Sequence, residues 1–120
     1  MHDPTEGGLA LALWELAEAS SCVLAVDLSR VPIAPVSRRI CAALKLDPYA
    51  TIASGALLLT VAAEDSGAVT QGLIDAGIAC ADIGAVEAGP VGVWHESING
   101  RMLLDRPERD AITRLYDPPQ

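Results

Sequence analysis

The sequence predicts an α+β fold, an α/β sandwich in which a mixed β-sheet is layered with helices. Three observations predict it. Short apolar, β-rich runs at 22–28, 56–61 and 78–86 and a hairpin pattern at 89–104 alternate with segments of helical spacing. Glycine and proline punctuate the boundaries between them. The 120 residues are 51% apolar and 20% charged, with no Phe, two Trp and two Tyr, so the core is aliphatic. A chain of this length buries roughly two-thirds of its unfolded surface and folds as one domain, here 1–120, without a metal or disulfide staple.

Asp3, Pro4 and Glu6 carry a helix-start signature: acceptor at the cap, proline at the first helical position, carboxylate three places after the cap. Gly7 and Gly8 weaken that turn, so the helix starts at one end or the other of the loop. Leu9, Leu13, Leu16 and Ala17 then form one apolar stripe, broadened by Leu11 and Trp14, and the helix runs to about Ala19.

Residues 22–28 read as a buried strand. Pro35 starts a second helix with Val36, Ile40, Ala43 and Leu44 on one face, and Asp47-Pro48 ends it. Residues 56–61, entered through Ser54-Gly55, read as a central strand. A third helix spans 64–76 with Gly77 as its stop, and 78–86 is again strand-like. Val91, Val93 and His95 alternate, Asn99-Gly100 supplies a two-residue turn, and 101–104 returns. A short helix within 105–116, interrupted early by Pro107, precedes the tail Asp117-Pro118-Pro119-Gln120.

The net charge of −8 and the absence of a basic run exclude nucleic-acid binding by phosphate neutralisation; Arg38-Arg39 reads as a solvated helix face. Excess acid disfavours anionic membranes, and no apolar run reaches the roughly 18 residues of a membrane span. The acidic N-terminus lacks the pattern of a signal peptide. Cys22, Cys41 and Cys80 are odd in number and widely spaced, which suggests neither zinc site nor disulfide framework but small buried hydrophobes of a reducing compartment. A cytoplasmic protein with no resident metal is the expectation.

The segment from His2 to Leu9 is the most informative for chemistry. A glycine pair leading into a helix lets backbone N–H groups approach an anion, Thr5 offers a hydroxyl, and Asp3 and Glu6 can accept protons or hold magnesium-bound water. A capping box accounts for Asp3, Pro4 and Glu6 without any ligand, so spacing alone leaves both readings open.

His2-Asp3-Pro4-Thr5-Glu6-Gly7-Gly8-Leu9, with Ala10 and Leu13, resembles the DPTxGGLA segment of hydrogenase expression/formation protein E and its relatives. It is similar to the equivalent loop of thiamine-monophosphate kinase, selenophosphate synthetase and aminoimidazole ribonucleotide (AIR) synthetase. The resemblance continues in order through Glu18-Ala19-Ser20, Asp27, Val31-Pro32-Ile33, Leu46-Asp47-Pro48, Ser54-Gly55-Ala56-Leu57 and Ile83-Gly84.

What the resemblance implies is the C-terminal domain of an AIR synthase (PurM)-related, ATP-dependent enzyme. An N-terminal domain carrying most ATP and magnesium contacts and forming a dimer is expected outside this chain, since Met1 falls inside the family segment. The implied catalytic residues are His2, Asp3 and Glu6, and the implied nucleotide-binding residues Thr5, Gly7 and Gly8. ATP and Mg2+ are expected in the full-length protein, and neither in the isolated chain. Expected partners are the N-terminal domain, a second copy in a homodimer, and hydrogenase maturation proteins. Two departures qualify this. The hydrogenase branch ends in a cysteine that receives a carbamoyl group, whereas this sequence ends in Gln120, which implies that thiocyanate formation does not take place on this chain. Ser54 stands where that branch tends to be acidic. The alternative is a non-catalytic interaction module that kept the fold and lost the chemistry.

Three other candidates read as structural. His95 lacks a partner motif. Ser54-Gly55 lacks the GxSxG pattern of a nucleophile turn and reads as a tight turn entering a strand. Glu64-Asp65 reads as acid complementing a helix N-terminus.

Overall fold

The computed structural model describes residues 1–118; Pro119 and Gln120, the end of the expected tail, lie outside the described residues. Its elements in order are α1 (Gly8–Ser20), β1 (Val23–Val26), α2 (Pro35–Leu44), α3 (Ser66–Asp75), β2 (Gly84–Glu87), β3 (Gly92–Ser97) and β4 (Gly100–Leu103), with 3-10 turns at Leu28–Arg30, Ala63–Asp65 and Ala111–Tyr116. The strands form one sheet in the order β2-β1-β3-β4, antiparallel except for the parallel pair β1–β3. The mixed sheet with helices is the α+β class that the sequence predicts.

α1 begins after the glycine pair. Gly7 sits at its N-cap with φ 76° and Gly8 follows at φ 62°, so the backbone on the N-terminal side leaves the helical path. The expected capping box from Asp3 and Glu6 is therefore not formed. The helix closes in a Schellman pattern: Ser21 adopts φ 51°, its N–H reaches the Glu18 carbonyl, and the Cys22 N–H reaches that of Ala17. The predicted stripe faces inward, with Leu13 and Ala17 buried and Leu9 and Leu16 packed against the core.

β1 is buried along its whole length, flanked by β2 and β3, and its residues Leu24 and Val26 join Leu13, Ala17 and Val93 in the main core. Both edges of β1 are thus taken. Residues 56–61 accordingly do not hold the expected central place in the sheet: they make a single bridge, His2 to Leu58, and only Leu58 is buried.

The strand expected over 78–86 is confined to Gly84–Glu87. Asp82 turns the chain before it, accepting from the Ser66 hydroxyl at 2.7 Å and the Gly84 N–H at 3.1 Å. The hairpin forms as predicted, but its turn is Ile98-Asn99, one residue earlier than expected, because Gly100 pairs with Ser97 at φ 114°. The third helix splits into the 3-10 turn at Ala63–Asp65 and α3, with Gly77 beyond it at φ 79°. The final helix is 3-10 and starts at Ala111, capped by Asp110.

Pro35 opens α2 as predicted, yet the face of Val36, Ile40 and Leu44 is 61%, 53% and 45% exposed; Cys41 alone is buried there. α3 buries no residue. Cys22 and Cys41 are buried, as expected, whereas Cys80 is only half-buried. No described helix is long and apolar enough to cross a membrane.

Candidate functional site

The opening loop, 2–8, is pinned from three sides. His2 exchanges backbone hydrogen bonds with Leu58, at 2.7 and 2.8 Å. The Thr5 carbonyl accepts from Gly8 N–H at 3.1 Å and from Ala53 N–H at 3.2 Å. Pro4 is fully buried, which anchors the middle of the loop. Gly8 passes under the 49–51 backbone so closely that a Cβ would lie 2.4 Å from the Thr51 carbonyl oxygen and 2.6 Å from that of Tyr49. The Tyr49 carbonyl meanwhile takes the Ala10 N–H at 2.8 Å.

The glycine amides, expected to face a ligand's anion, are both used within the chain. Gly7 N–H donates to Asp110 Oδ2 at 2.8 Å, and Gly8 N–H donates to Thr5. The carboxylate of Asp110 thus occupies the electropositive end of α1. What the loop presents outward is the Asp3, Thr5 and Glu6 side chains, all exposed. His2 is half-buried, its Nε2 2.5 Å from Glu15 Oε2, so a carboxylate orients the imidazole. The structure brings His2, Asp3, Thr5 and Glu6 onto one short stretch, with Gly7 and Gly8 buried beneath.

Sequence reasoning missed Asp110, Glu15 and the 49–51 segment. Glu15 lies 13 residues from His2 and Asp110 lies 103 from Gly7, beyond any local pattern. Only the capping of Ile112 N–H by Asp110 Oδ1, at 2.9 Å, has a sequence-local signal.

A second feature lies at the carboxyl ends of the parallel pair β1–β3: an open cleft of about 740 Å³ lined by Asp27, Arg30, Tyr49, His95 and Glu96 among others. Hydrogen bonds from the Ser29 hydroxyl at 2.6 Å and the Ser29 N–H at 2.9 Å hold the Asp27 carboxyl below its ordinary value, with smaller help from His95 and Arg30. His95 Nδ1 lies 3.3 Å from the Val26 carbonyl and 3.5 Å from the Leu28 nitrogen, which ties the ring to the backbone as the structural reading expects. Tyr49 donates its hydroxyl to the Leu28 carbonyl at 3.0 Å.

Ser54-Gly55 is a tight turn, with Gly55 at φ 93° and Ala56 N–H reaching the Ala53 carbonyl at 3.1 Å; it leads into irregular chain rather than a strand. Glu64 and Asp65 occupy the 3-10 turn before α3. Among the described residues no group of three His, Cys, Asp or Glu side chains is placed to hold a metal ion.

Comparison with known proteins decides the family. Residues 1–95 match the family described as AIR synthase related protein, C-terminal domain. The chain belongs to that family. This AIR synthase related domain is 35% identical over 117 residues to a Methanocaldococcus jannaschii protein whose name places it in hydrogenase expression and formation, covering 96% of the chain and 35% of that protein. It is 33% identical to the carbamoyl dehydratase HypE of Rhizobium leguminosarum, over 88% of the chain and 26% of that enzyme. The solved structure of hydrogenase maturation protein HypE in complex with ATP superposes with a TM-score of 0.80 at 31% identity, over 91% of the chain and 36% of that protein. The domain therefore spans about a third of the length of such relatives. The family match ends at residue 95, while the alignment to the Methanocaldococcus jannaschii protein extends through Asp110.

Proposed function

We propose that this domain is the C-terminal part of an ATP-dependent, hydrogenase-maturation-like enzyme and forms one wall of its nucleotide and substrate cleft. The observation that carries this reading is the opening loop: its backbone is fixed by internal hydrogen bonds while Asp3, Thr5 and Glu6 stay exposed. Catalysis of phosphoryl transfer, or of ATP-driven dehydration, rests on positioning and charge neutralisation, and a rigid polar loop serves the first of these. His2, Asp3 and Glu6 are its catalytic share: the His2–Glu15 pair orients an imidazole that can hold or pass a proton, and the two carboxylates can accept a proton or hold magnesium-bound water. Thr5 contacts the nucleotide by its hydroxyl, and Gly7 and Gly8 shape the loop.

Two carboxylates with no third ligand among the described residues do not fit a metal held by this chain alone, and the Gly7 amide is already taken. Magnesium and ATP therefore belong to a site completed by an N-terminal domain. The test is a titration of the 120-residue chain with millimolar magnesium–ATP, followed by backbone NMR and calorimetry. Small shifts at residues 2–8 with no tight binding are expected. Tight binding to the chain alone, or shifts confined to the Asp27–His95 cleft, contradicts the reading.

The exposed apolar side chains of α2, with Leu57, Ile74 and Ile78, support association with that N-terminal domain, with hydrogenase maturation proteins of the cytoplasm, and with a second copy at high concentration. A strictly monomeric light-scattering mass in concentrated solution counts against the homodimer. The second reading, an interaction module without chemistry, is favoured by the internally filled Gly7 amide. It predicts that magnesium–ATP leaves residues 2–8 unperturbed even with an N-terminal domain present.

A further inference from the structure

We infer that Asp110 is a positioning residue that fixes the opening loop from the far end of the chain. Its side chain is only 6% exposed, and both carboxylate oxygens are used: Oδ2 accepts from Gly7 N–H at 2.8 Å and Oδ1 from Ile112 N–H at 2.9 Å. A buried carboxylate is costly unless it is hydrogen-bonded, and here each oxygen accepts from a backbone donor. Its own carbonyl accepts from Thr113 N–H at 3.1 Å and the Thr113 hydroxyl at 2.7 Å, so the residue cannot swing away without opening the turn it caps.

The segment is held on a second side as well. Ala111 donates its N–H to the Ala50 carbonyl at 2.9 Å and packs with Cys41 and Leu46. Ala50 lies between Tyr49 and Thr51, whose backbones press on Gly8. One stretch, 110–113, therefore braces the glycine pair directly at Gly7 and indirectly through 49–51.

The consequence concerns how the loop works. A helix N-terminus favours negative charge, and this one receives it from within the chain. The Gly7 amide is spent on Asp110, so the outward-facing side chains at 3, 5 and 6 are what meets a ligand, and Asp110 sets their position without touching it. This rests on the nucleotide reading for the ligand's identity but not for the brace itself.

Hydrogen exchange by NMR on the 120-residue chain tests the brace, comparing wild type with Asp110→Ala and Asp110→Asn. In Asp110→Ala the amides of Gly7, Gly8 and Ala53 are expected to exchange about tenfold faster, while Leu104 N–H, bonded to Val93 across the sheet, is unchanged. Asn offers one carbonyl oxygen for two donors, so Asp110→Asn is expected to fall between, and it remains informative should the alanine variant not fold. The shifts that magnesium–ATP induces at residues 3, 5 and 6 are expected to shrink in the asparagine variant. Unchanged Gly7 exchange, or a uniform rise that includes Leu104, overturns the inference. Residues 2–8 left unshifted by magnesium–ATP even with an N-terminal domain present sink the nucleotide reading instead and leave the exchange result standing.

Discussion

The two halves of this molecule treat the same kind of residue in opposite ways. In the inner region, formed by α1, β1 and β3, apolar side chains are sealed: Leu13 and Val93 are 1% and 0% exposed. In the outer region, formed by α2, residues 52–61 and α3, side chains of equal hydrophobicity stand in the open, as at Val36, Leu57 and Ile74. α1 is the more apolar segment and α2 carries Arg38 and Arg39, yet for single side chains of like size the outcome follows what each segment finds to pack against. An apolar surface without a partner marks an interface.

The largest test of that contrast is a pair of truncations. Leu13→Ala is expected to cost about 2–5 kcal/mol in urea unfolding, from lost burial and the cavity left behind. Leu57→Ala is expected to stay within about 0.5 kcal/mol. Equal losses at the two sites would erase the distinction.

Glycine gives the next comparison. Gly8 and Gly55 both have positive φ, but a Cβ at Gly8 meets the Thr51 carbonyl at 2.4 Å and one at Gly55 meets nothing within 4 Å. Gly55→Ala is expected to cost about 1–2 kcal/mol of backbone strain alone, and Gly8→Ala clearly more because backbone must move. Thermal unfolding of the two variants ranks them.

Carboxylates supply a smaller contrast. Asp110→Ala removes a buried cap and is expected to cost about 0.5–2 kcal/mol, whereas the exposed Asp3→Ala is expected to change stability by under about 0.5 kcal/mol. Chemical denaturation of both variants measures the gap, and a costlier Asp3→Ala would reverse the assignment of cap and ligand face.

The smallest effect is in pH. Hydrogen bonds from Arg106, Ser29 and Arg109 hold Glu18, Asp27 and Asp117 respectively below their ordinary values of 4.5, 3.8 and 3.8. Because the folded values are depressed, the stability these groups add is complete above the ordinary values and is lost as pH falls through the lower folded ones. All three are solvated, so a modest decline in Tm is expected over that acid window, flattened in Arg106→Gln and Arg109→Gln. An unaltered slope in both variants would show that these pairs contribute nothing.

The opening motif shows how legibility varied within one site. His2 through Gly8 stands out in the sequence because a glycine pair before an apolar stripe is local. The use of those glycines is not local: Gly7 answers to a carboxylate 103 residues away and Gly8 to the backbone of 49–51. Residues 56–61 show the same limit for the fold, since their apolar run matches a strand and yet pairs only at Leu58, with His2, outside the sheet.

By itself the sequence determined what depends on neighbours along the chain: α1 and its inward stripe, the start of α2 at Pro35, the hairpin at 92–103, and the family motif. Tertiary structure decided which apolar runs are buried and which anion caps α1. Those outcomes depend on which surfaces and hydrogen-bonding groups meet across long stretches of chain, and periodicity carries no information about that.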